Sequence, residues 1–400
     1  MKICIPLAKP EVTDADREAV LDVLRTSSLS SGPRVQQFEQ AICDYTSAKF
    51  TVAVNSGTSA LQVAVRALRL EAGSEVILPS FTFSALLNVV LQEQLLPRFV
   101  DIDPDTYNTT AQMIASAISE KTRLVLAVHT FGIPVDVAGI RQTAEGFSQA
   151  SRPFDSLPVV GRSGQAPRHT IHFIEDACEA LGAEIDGRKA GSFGDAGLFA
   201  FYPNKQITTG EGGMLVTSDE RLARQARVLR NQGRDIELEW SDHAEAGFSY
   251  RLSDINCALG ISQLKRIEQI IARRQALAKA YESRLRHVPN VVRPPLESSN
   301  GRISWFVYAV RLAERFTRAD RDWICEFLAA KGIGTGRYFA PLHHQPVLTK
   351  FNLQPPSLPV TEFVADRVIA LPFFNEISET EIDQVSSALQ GAIQARRRKT

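Results

Sequence analysis

The fold is decided by residues 51–100, TVAVNSGTSALQVAVRALRLEAGSEVILPSFTFSALLNVVLQEQLLPRFV. Short β-branched runs at Thr51–Asn55, Glu75–Leu78 and Pro97–Val100 alternate with two stretches, Ser59–Leu70 and Ser84–Gln94, whose apolar residues recur at helical spacing. Outward from this block the rhythm continues with a helical pattern at Ala111–Ser119 and strand candidates at Leu124–Val128, Ile171–Glu175, Leu198–Phe201 and Gly213–Thr217. Strands alternating with helices imply a mostly parallel sheet covered on both faces. Ligands of such sheets sit beyond the carboxyl ends of the strands, so the loops that follow the strands are where chemistry is to be sought.

One stretch breaks the rhythm. Gly146–His169 is rich in Ser, Pro, Gly and Arg and has no period, which reads as an extended surface loop inserted before the next strand. After Tyr250 the character changes. Apolar residues at Leu252, Ile255, Leu259, Ile261, Leu264, Ile267 and Ile271 predict a long helix over Leu252–Val288 with room for a break. A strand-like WFVYAVRL (305–312), a helical DRDWICEFLAAKG (320–332) and a closing helix Glu379–Arg397 follow. The predicted organisation is a large α/β domain over residues 1–245 and a smaller α/β C-terminal domain over 246–400. Two packed domains are what 400 residues accommodate.

Bulk properties exclude several classes. Lys plus Arg and Asp plus Glu number 45 each, so the formal charge is zero and the electrostatic footprint of a nucleic-acid binder is missing. The run Arg396–Lys399 reads as a solvated helix end. Five cysteines without a C-x-x-C pair suggest reduced thiols and an intracellular chain, and no metal is called for. The opening MKICIPLAKPEVTDADREAV turns polar too early for a signal peptide, and no apolar run approaches the roughly 20 residues of a membrane span. A cytoplasmic protein with no membrane or nucleic-acid partner is expected.

Three segments carry chemistry. Asn55–Leu61 (NSGTSAL) follows a strand and opens a helix, so free backbone amides and the helix dipole make an anion site; an N-capped helix after a glycine turn has the same signature. Ile171–Glu184, which ends in IEDACEALGAE (174–184), places Asp176 at the carboxyl edge of the sheet, where a charged carboxylate must find a partner. A protonated heterocyclic nitrogen, an arginine or a helix N-terminus would each serve. Gly194–Thr217 (GDAGLFAFYPNKQITTGEGGMLVT) delivers Lys205 directly after a strand, flanked by aromatics. Partial burial there favours the neutral amine, the form that attacks a carbonyl.

Phosphate site, carboxylate and lysine in that order are the toolkit of a pyridoxal phosphate enzyme. The chain resembles the DegT/DnrJ/StrS sugar aminotransferases of the aspartate aminotransferase fold (fold type I). The resemblance runs from IPLAKPEVTDADREAV to GRYFAPLHHQPVL and LPFFNEISETEI, and PSFTF, FYPNKQITTGEGG and GFSYRLSDINCALGISQL make it specific. It implies that Lys205 forms the Schiff base with pyridoxal 5′-phosphate and shuttles protons. It further implies that Asp176 keeps the pyridine nitrogen protonated, that Phe83 stacks on the ring, and that Gly57, Thr58 and Ser59 hold the phosphate. A homodimer with sites at the subunit boundary follows, the GFSYR segment reaching into the partner's site.

Three positions depart from the family pattern: Ala200 where Ser is usual, Glu179 where Gln contacts the ring oxygen, and Ser249 where Asn contacts the phosphate. Thr208 and Thr209 are hydroxyls that stand near enough in sequence to replace the missing donors. For the substrate, the resemblance singles out His129, either at the pocket or as a hydrogen-bonded shaper of the strand end. Arg337 and Tyr338 precede PLHHQP in a stretch that lines the entrance, with His343 as the histidine facing the site. The expected reaction moves an amino group, from L-glutamate by family habit, to a nucleotide-linked keto-deoxysugar. Alternatives are a sugar dehydratase of the same family, whose branch replaces the lysine with histidine, and a non-catalytic regulatory or binding member.

Overall fold

A computed structural model describes residues 3–150, 170–235 and 242–397. Helices α1 (Asp14–Leu24) and α2 (Pro33–Thr46) lead into β1 (Phe50–Val54). There follow α3 (Gly57–Ala67), β2 (Glu75–Pro79), α4 (Ala85–Gln92), β3 (Leu96–Val100), α5 (Ala111–Ala117), β4 (Thr122–Val128) and α6 (Val137–Ala150). Next come β5 (His172–Asp176), a small hairpin of β6 (Glu184–Ile185) and β7 (Arg188–Lys189), β8 (Ala196–Ala200), β9 (Gly213–Thr217) and α7 (Glu220–Arg230).

Seven of these strands form one sheet in the order β1-β9-β8-β5-β4-β2-β3. Neighbours are parallel except for the two pairings made by β9, so β1, β2, β3, β4, β5 and β8 all point the same way. Successive side chains on a strand face opposite sides. Val52 and Val54 accordingly enter one core with α3, α4 and α7, while Ala53 enters the other with α2. The same split separates Leu124, Leu126 and Val128 from Val125 and Ala127. Both faces are buried, which is why these strands read as unbroken apolar runs.

The chain continues through α8 (Asp254–Leu264) and α9 (Ile267–Leu285) to a second, antiparallel sheet, β10 (Val291–Val292), β11 (Tyr308–Leu312) and β12 (Val368–Leu371), packed with α10 (Arg318–Ala330), α11 (Pro359–Ala365) and α12 (Glu379–Arg397). Its core holds Tyr281, Trp305, Tyr308 and Leu389, all essentially inaccessible. The two sheets share side chains: Phe81, Tyr107 and Phe131 pack with Phe306, Val364 and Ala370 in one cluster. The ends of the chain cross over. Ile5 pairs with Ile333 beside the second sheet, and α8 packs on α1 and α2 beside the first.

Three expectations need adjustment, and the break allowed for in the long helix has a place. The helix expected from Ser59 begins at Gly57, because Ser56 caps it by accepting from the Ser59 amide at 3.0 Å. Residues 146–150 of the expected insertion are the last turn of α6; its remainder, 151–169, lies outside the described residues. The long helix breaks at Lys265 and Arg266, where the Arg266 guanidinium turns to Glu11 and Asp16. In WFVYAVRL only Tyr308–Leu312 forms a ladder, the Trp305 ring nitrogen bonding Gln275 instead. Among the described residues no helix is long and apolar enough to cross a membrane.

Candidate active site

The parallel strands end on one edge, and three of the loops beyond them touch. A Cβ built on Gly57, the first residue of α3, would lie 2.8 Å from the Ala200 methyl at the end of β8 and 2.9 Å from the Cys178 sulfur just past β5. Glycine is therefore required where the helix start is pressed between two other strand ends. The amides of Gly57 and Thr58 precede the first intrahelical bond, Ala60 to Ser56, and have no acceptor within the helix. Thr58 is exposed. Ser59 is placed differently from the expectation: it is buried, and its hydroxyl donates to Asn55 at 2.6 Å.

Asp176 ends β5 half-buried, its carboxylate accepting from the Cys178 amide at 3.0 Å and its carbonyl from the His129 amide at 3.1 Å. Burial and the neighbouring Asp176 push the Cys178 thiol well up, which keeps it an unreactive packing group. Glu179 follows, one oxygen accepting from the Phe131 amide at 3.0 Å and the other 3.6 Å from Lys205 Nζ. Burial holds the Glu179 carboxyl above its ordinary value against the pull of Lys205.

Lys205 sits on a turn closed by its own amide to Tyr202, with its side chain 14% exposed. Its Nζ lies 4.1 Å from the centroid of the Phe306 ring, in cation–π position. Phe306 in turn stacks near Tyr338. From α9, the buried Arg274 donates to the carbonyls of Trp305, Phe306 and Lys205. Gln206 spans the carbonyls of Glu179 and Ser304. The lysine loop is thus fastened to residues 304–306 of the second layer.

Phe83 is 62% exposed, whereas Phe81 two residues earlier is fully buried among Tyr107, Phe131 and Phe339. An aromatic left open beside a cluster that buries its neighbour is a free platform at the sheet edge. Ser249 is exposed too, on a segment whose next residue, Tyr250, accepts from the Asn55 amide.

The substrate candidates fare less well. His129 is fully buried with both ring nitrogens engaged, Nδ1 accepting from the Val135 amide and Nε2 facing Glu175 at 3.0 Å. It shapes the strand end and has no nitrogen left for a substrate. His343 is buried as well, tied to Ser80 and Glu362, and it is His344 whose side chain is half exposed. The expectation that His343 faces the site is corrected accordingly. Arg337 is exposed but paired with Asp322 at 3.2 Å. Thr208 and Thr209 do not replace the missing donors, since their hydroxyls are spent on the carbonyls of Phe201 and Glu211. Glu175 went unremarked in the sequence. It is inaccessible and accepts from His129 and from the amides of Gly191, Phe193 and Gly194. The Glu-Asp pair at the strand end was the available signal. For Phe306 and Arg274 no local signal exists.

The family model for the DegT/DnrJ/EryC1/StrS aminotransferase family matches residues 10–148 and 164–390. The chain belongs to this family. GDP-perosamine synthase of Caulobacter vibrioides is 35% identical over 386 residues, covering 96% of this chain and 97% of that protein. Among solved structures, the putative sugar aminotransferase Spr1654 of Streptococcus pneumoniae in its PLP-form is 25% identical, with TM-score 0.88 and coverage of 98% and 99%. Helicobacter pylori PseC, an aminotransferase of pseudoaminic acid biosynthesis, matches with the same identity, score and coverages. This member of the DegT/DnrJ/EryC1/StrS family is thus a fold-type I sugar aminotransferase, and its cofactor is pyridoxal phosphate. The groups at the edge suit that cofactor: two unclaimed helix amides for its phosphate, a carboxylate, an amine beside a carboxyl, and an open aromatic face.

Proposed function

We propose that the chain is a cytoplasmic, dimeric aminotransferase that passes an amino group from L-glutamate to a keto carbon of a nucleotide-linked deoxysugar. The observation that carries the reading is Lys205, held between Glu179 and Phe306 where the loops bearing Gly57 and Asp176 converge. The name of the Caulobacter relative, a GDP-perosamine synthase, supports a nucleotide-linked substrate. The same reading treats residues 1–245 and 246–400 as the cofactor domain and its smaller companion.

In this reading the first amides of α3 at Gly57 and Thr58 hold the phosphate, and Ser249 approaches it from the partner chain. Asp176 would hold the ring nitrogen and Phe83 would offer its open face to the ring. Lys205 would hold the cofactor through its amine, and that amine would serve as the proton carrier of the exchange. Glu179, protonated more readily than an ordinary carboxyl, stands beside the lysine and would be the group available to the ring oxygen. Bound pyridoxal phosphate supplies the electron sink that makes a C–H bond beside nitrogen acidic. Phe306, with Tyr338 stacked beside it, covers the lysine on the second-layer side. Arg337 is the available cation at the mouth, once it leaves Asp322.

The retained lysine disfavours the dehydratase reading. The test is direct: purified protein is yellow, bleaches with L-glutamate, and then gives mass gain on one of a panel of keto-sugar nucleotides. Colourless protein that ignores added cofactor refutes the enzyme reading. Colour fixed by borohydride to Lys205→Ala after unfolding refutes the lysine assignment alone.

A further inference from the structure

We propose that His343, His344 and Glu362 form a binding site for one divalent transition-metal ion, zinc by its ligand set, which clamps the loop bearing Phe83 to the 342–362 segment. Their ligand atoms lie within 4.8 Å of one another. Nε2 of His343 is 3.2 Å from Oε1 of Glu362, and Nε2 of His344 is 3.9 Å from the same oxygen. Ligands bound tetrahedrally to zinc at ~2.0–2.1 Å stand roughly 3.3 Å apart. The first pair is already at that spacing, and a small rotation of exposed His344 brings the second to it. The two imidazole rings are 4.0 Å apart at 53°, side by side with both Nε2 atoms toward the carboxylate.

The surroundings are those of a ligand set rather than of a lone hydrogen bond. Nδ1 of His343 meets Ser80 Oγ at 2.5 Å, and the same oxygen accepts from the His343 amide, so the ring orientation is fixed from behind, as metal-bound histidines require. His343 is the buried anchor; His344 at 53% and Glu362 at 38% side-chain exposure form the solvent side, which gives the ion an entry path and leaves a position for water. A bond from His343 to Glu362 explains that pair without an ion. It leaves His344, tilted beside its neighbour and 3.9 Å from the carboxylate, beyond hydrogen-bond reach.

The ligands come from a 3-10 turn (Leu342–His344) and from α11, and Ser80, which holds the His343 ring, belongs to the loop after β2 that carries Phe83. The turn already touches that loop through the Leu342 amide and the Ser80 carbonyl. An ion would lock the same junction, a structural role that stands or falls apart from the transamination reading.

The experiment uses the holoenzyme, stripped with chelator, dialysed against zinc chloride and freed of loose ion by gel filtration, with metal counted by mass spectrometry. One zinc per chain is expected, and His344→Ala and Glu362→Gln weaken binding at least about tenfold. His344 is exposed, so its variant folds even where the Glu362 variant does not. Cobalt substitution should give ligand-field bands without the charge-transfer band of a thiolate, which separates this site from the five free cysteines. Absence of retained zinc, undiminished binding by His344→Ala, or a thiolate band overturns the proposal.

Discussion

Glu175→Gln is the substitution whose cost the structure states most fully. Glu175 has no accessible surface, and its two oxygens divide four donors between them. Oε1 accepts from the amides of Phe193 at 2.6 Å and Gly194 at 2.7 Å; Oε2 accepts from Gly191 at 2.8 Å and meets His129 Nε2 at 3.0 Å. His129 Nδ1 is occupied as an acceptor by the Val135 amide, so its Nε2 carries the proton and donates to Glu175. Glutamine keeps one acceptor oxygen and turns an NH2 group toward the other pair of donors. Whichever way the amide is rotated, two buried donors lose their partner and face another donor. At about 1–3 kcal/mol for each such group, the loss is about 2–6 kcal/mol. Set against the ~5–15 kcal/mol of a typical protein, that is a large share. Equilibrium urea unfolding of the two apo-proteins at equal concentration measures it. The 191–194 turn and His129 should loosen together, carrying Asp176 one residue away and weakening cofactor retention. A stability change below about 0.5 kcal/mol would refute the claim that this carboxylate organises the strand ends.

Gly57→Ala places a methyl group against Ala200 and Cys178 at distances that no relaxed contact tolerates, so it should cost about 1–3 kcal/mol and weaken cofactor binding; dialysis against cofactor-free buffer with absorbance readout checks this, and an unchanged retention time argues against the phosphate cradle. Glu179 is held above its ordinary value by burial, so the folded chain keeps a proton that the unfolded chain gives up. Stability attached to that proton is present below the ordinary value and lost as pH rises through the raised one. Relative to Glu179→Gln, the wild-type apo-protein should therefore lose stability as pH rises above the ordinary carboxylate range, and a gain over that rise means that the Lys205 contact prevails. Arg274, its guanidinium pushed down to about 10 by burial, holds three carbonyls, including that of Lys205. Arg274→Met strands those acceptors and should lower the unfolding midpoint sharply and slow the capture of added pyridoxal phosphate by the apo-protein, whereas wild-type capture at full stability loss would make its role purely structural.

The sheet was legible in the sequence because both of its faces are buried: strands such as Leu124–Val128 are apolar throughout and bounded by turn residues. The edge of that sheet was legible wherever the chemistry depends on local backbone. A glycine opening a helix, a carboxylate closing a strand and a lysine on the next turn each leave a mark within a few residues. What supports them leaves none. Phe306 reaches Lys205 from about a hundred residues on, Arg274 reaches it from a helix of the second layer, and Ser80 fixes His343 across a separation of 263 residues. The doublet His343-His344 shows that imidazole is present but not which ring is buried; that is settled by a serine elsewhere in the chain. Thr208 and Thr209 failed as stand-ins for a related reason. Hydroxyls in tight turns bond the nearest carbonyls, and these two do so.

Ala200 shows why counting lost donors misjudges a site. Judged by residue type, it is a serine hydroxyl gone from the phosphate end of the pocket. In the structure its methyl group is the surface against which Gly57 is pressed, with 2.8 Å available where a Cβ would stand. That contact fixes the start of α3 against β8, and with it the direction in which the amides of Gly57 and Thr58 point. A hydroxyl at this position would add one donor. The methyl group fixes two amides that need no side chain at all, and these lie at the positive end of an eleven-residue helix. Ala200→Ser should therefore raise cofactor affinity by no more than the ~1 kcal/mol of a single added hydrogen bond, and a gain much larger than that places the binding energy in side-chain donors instead.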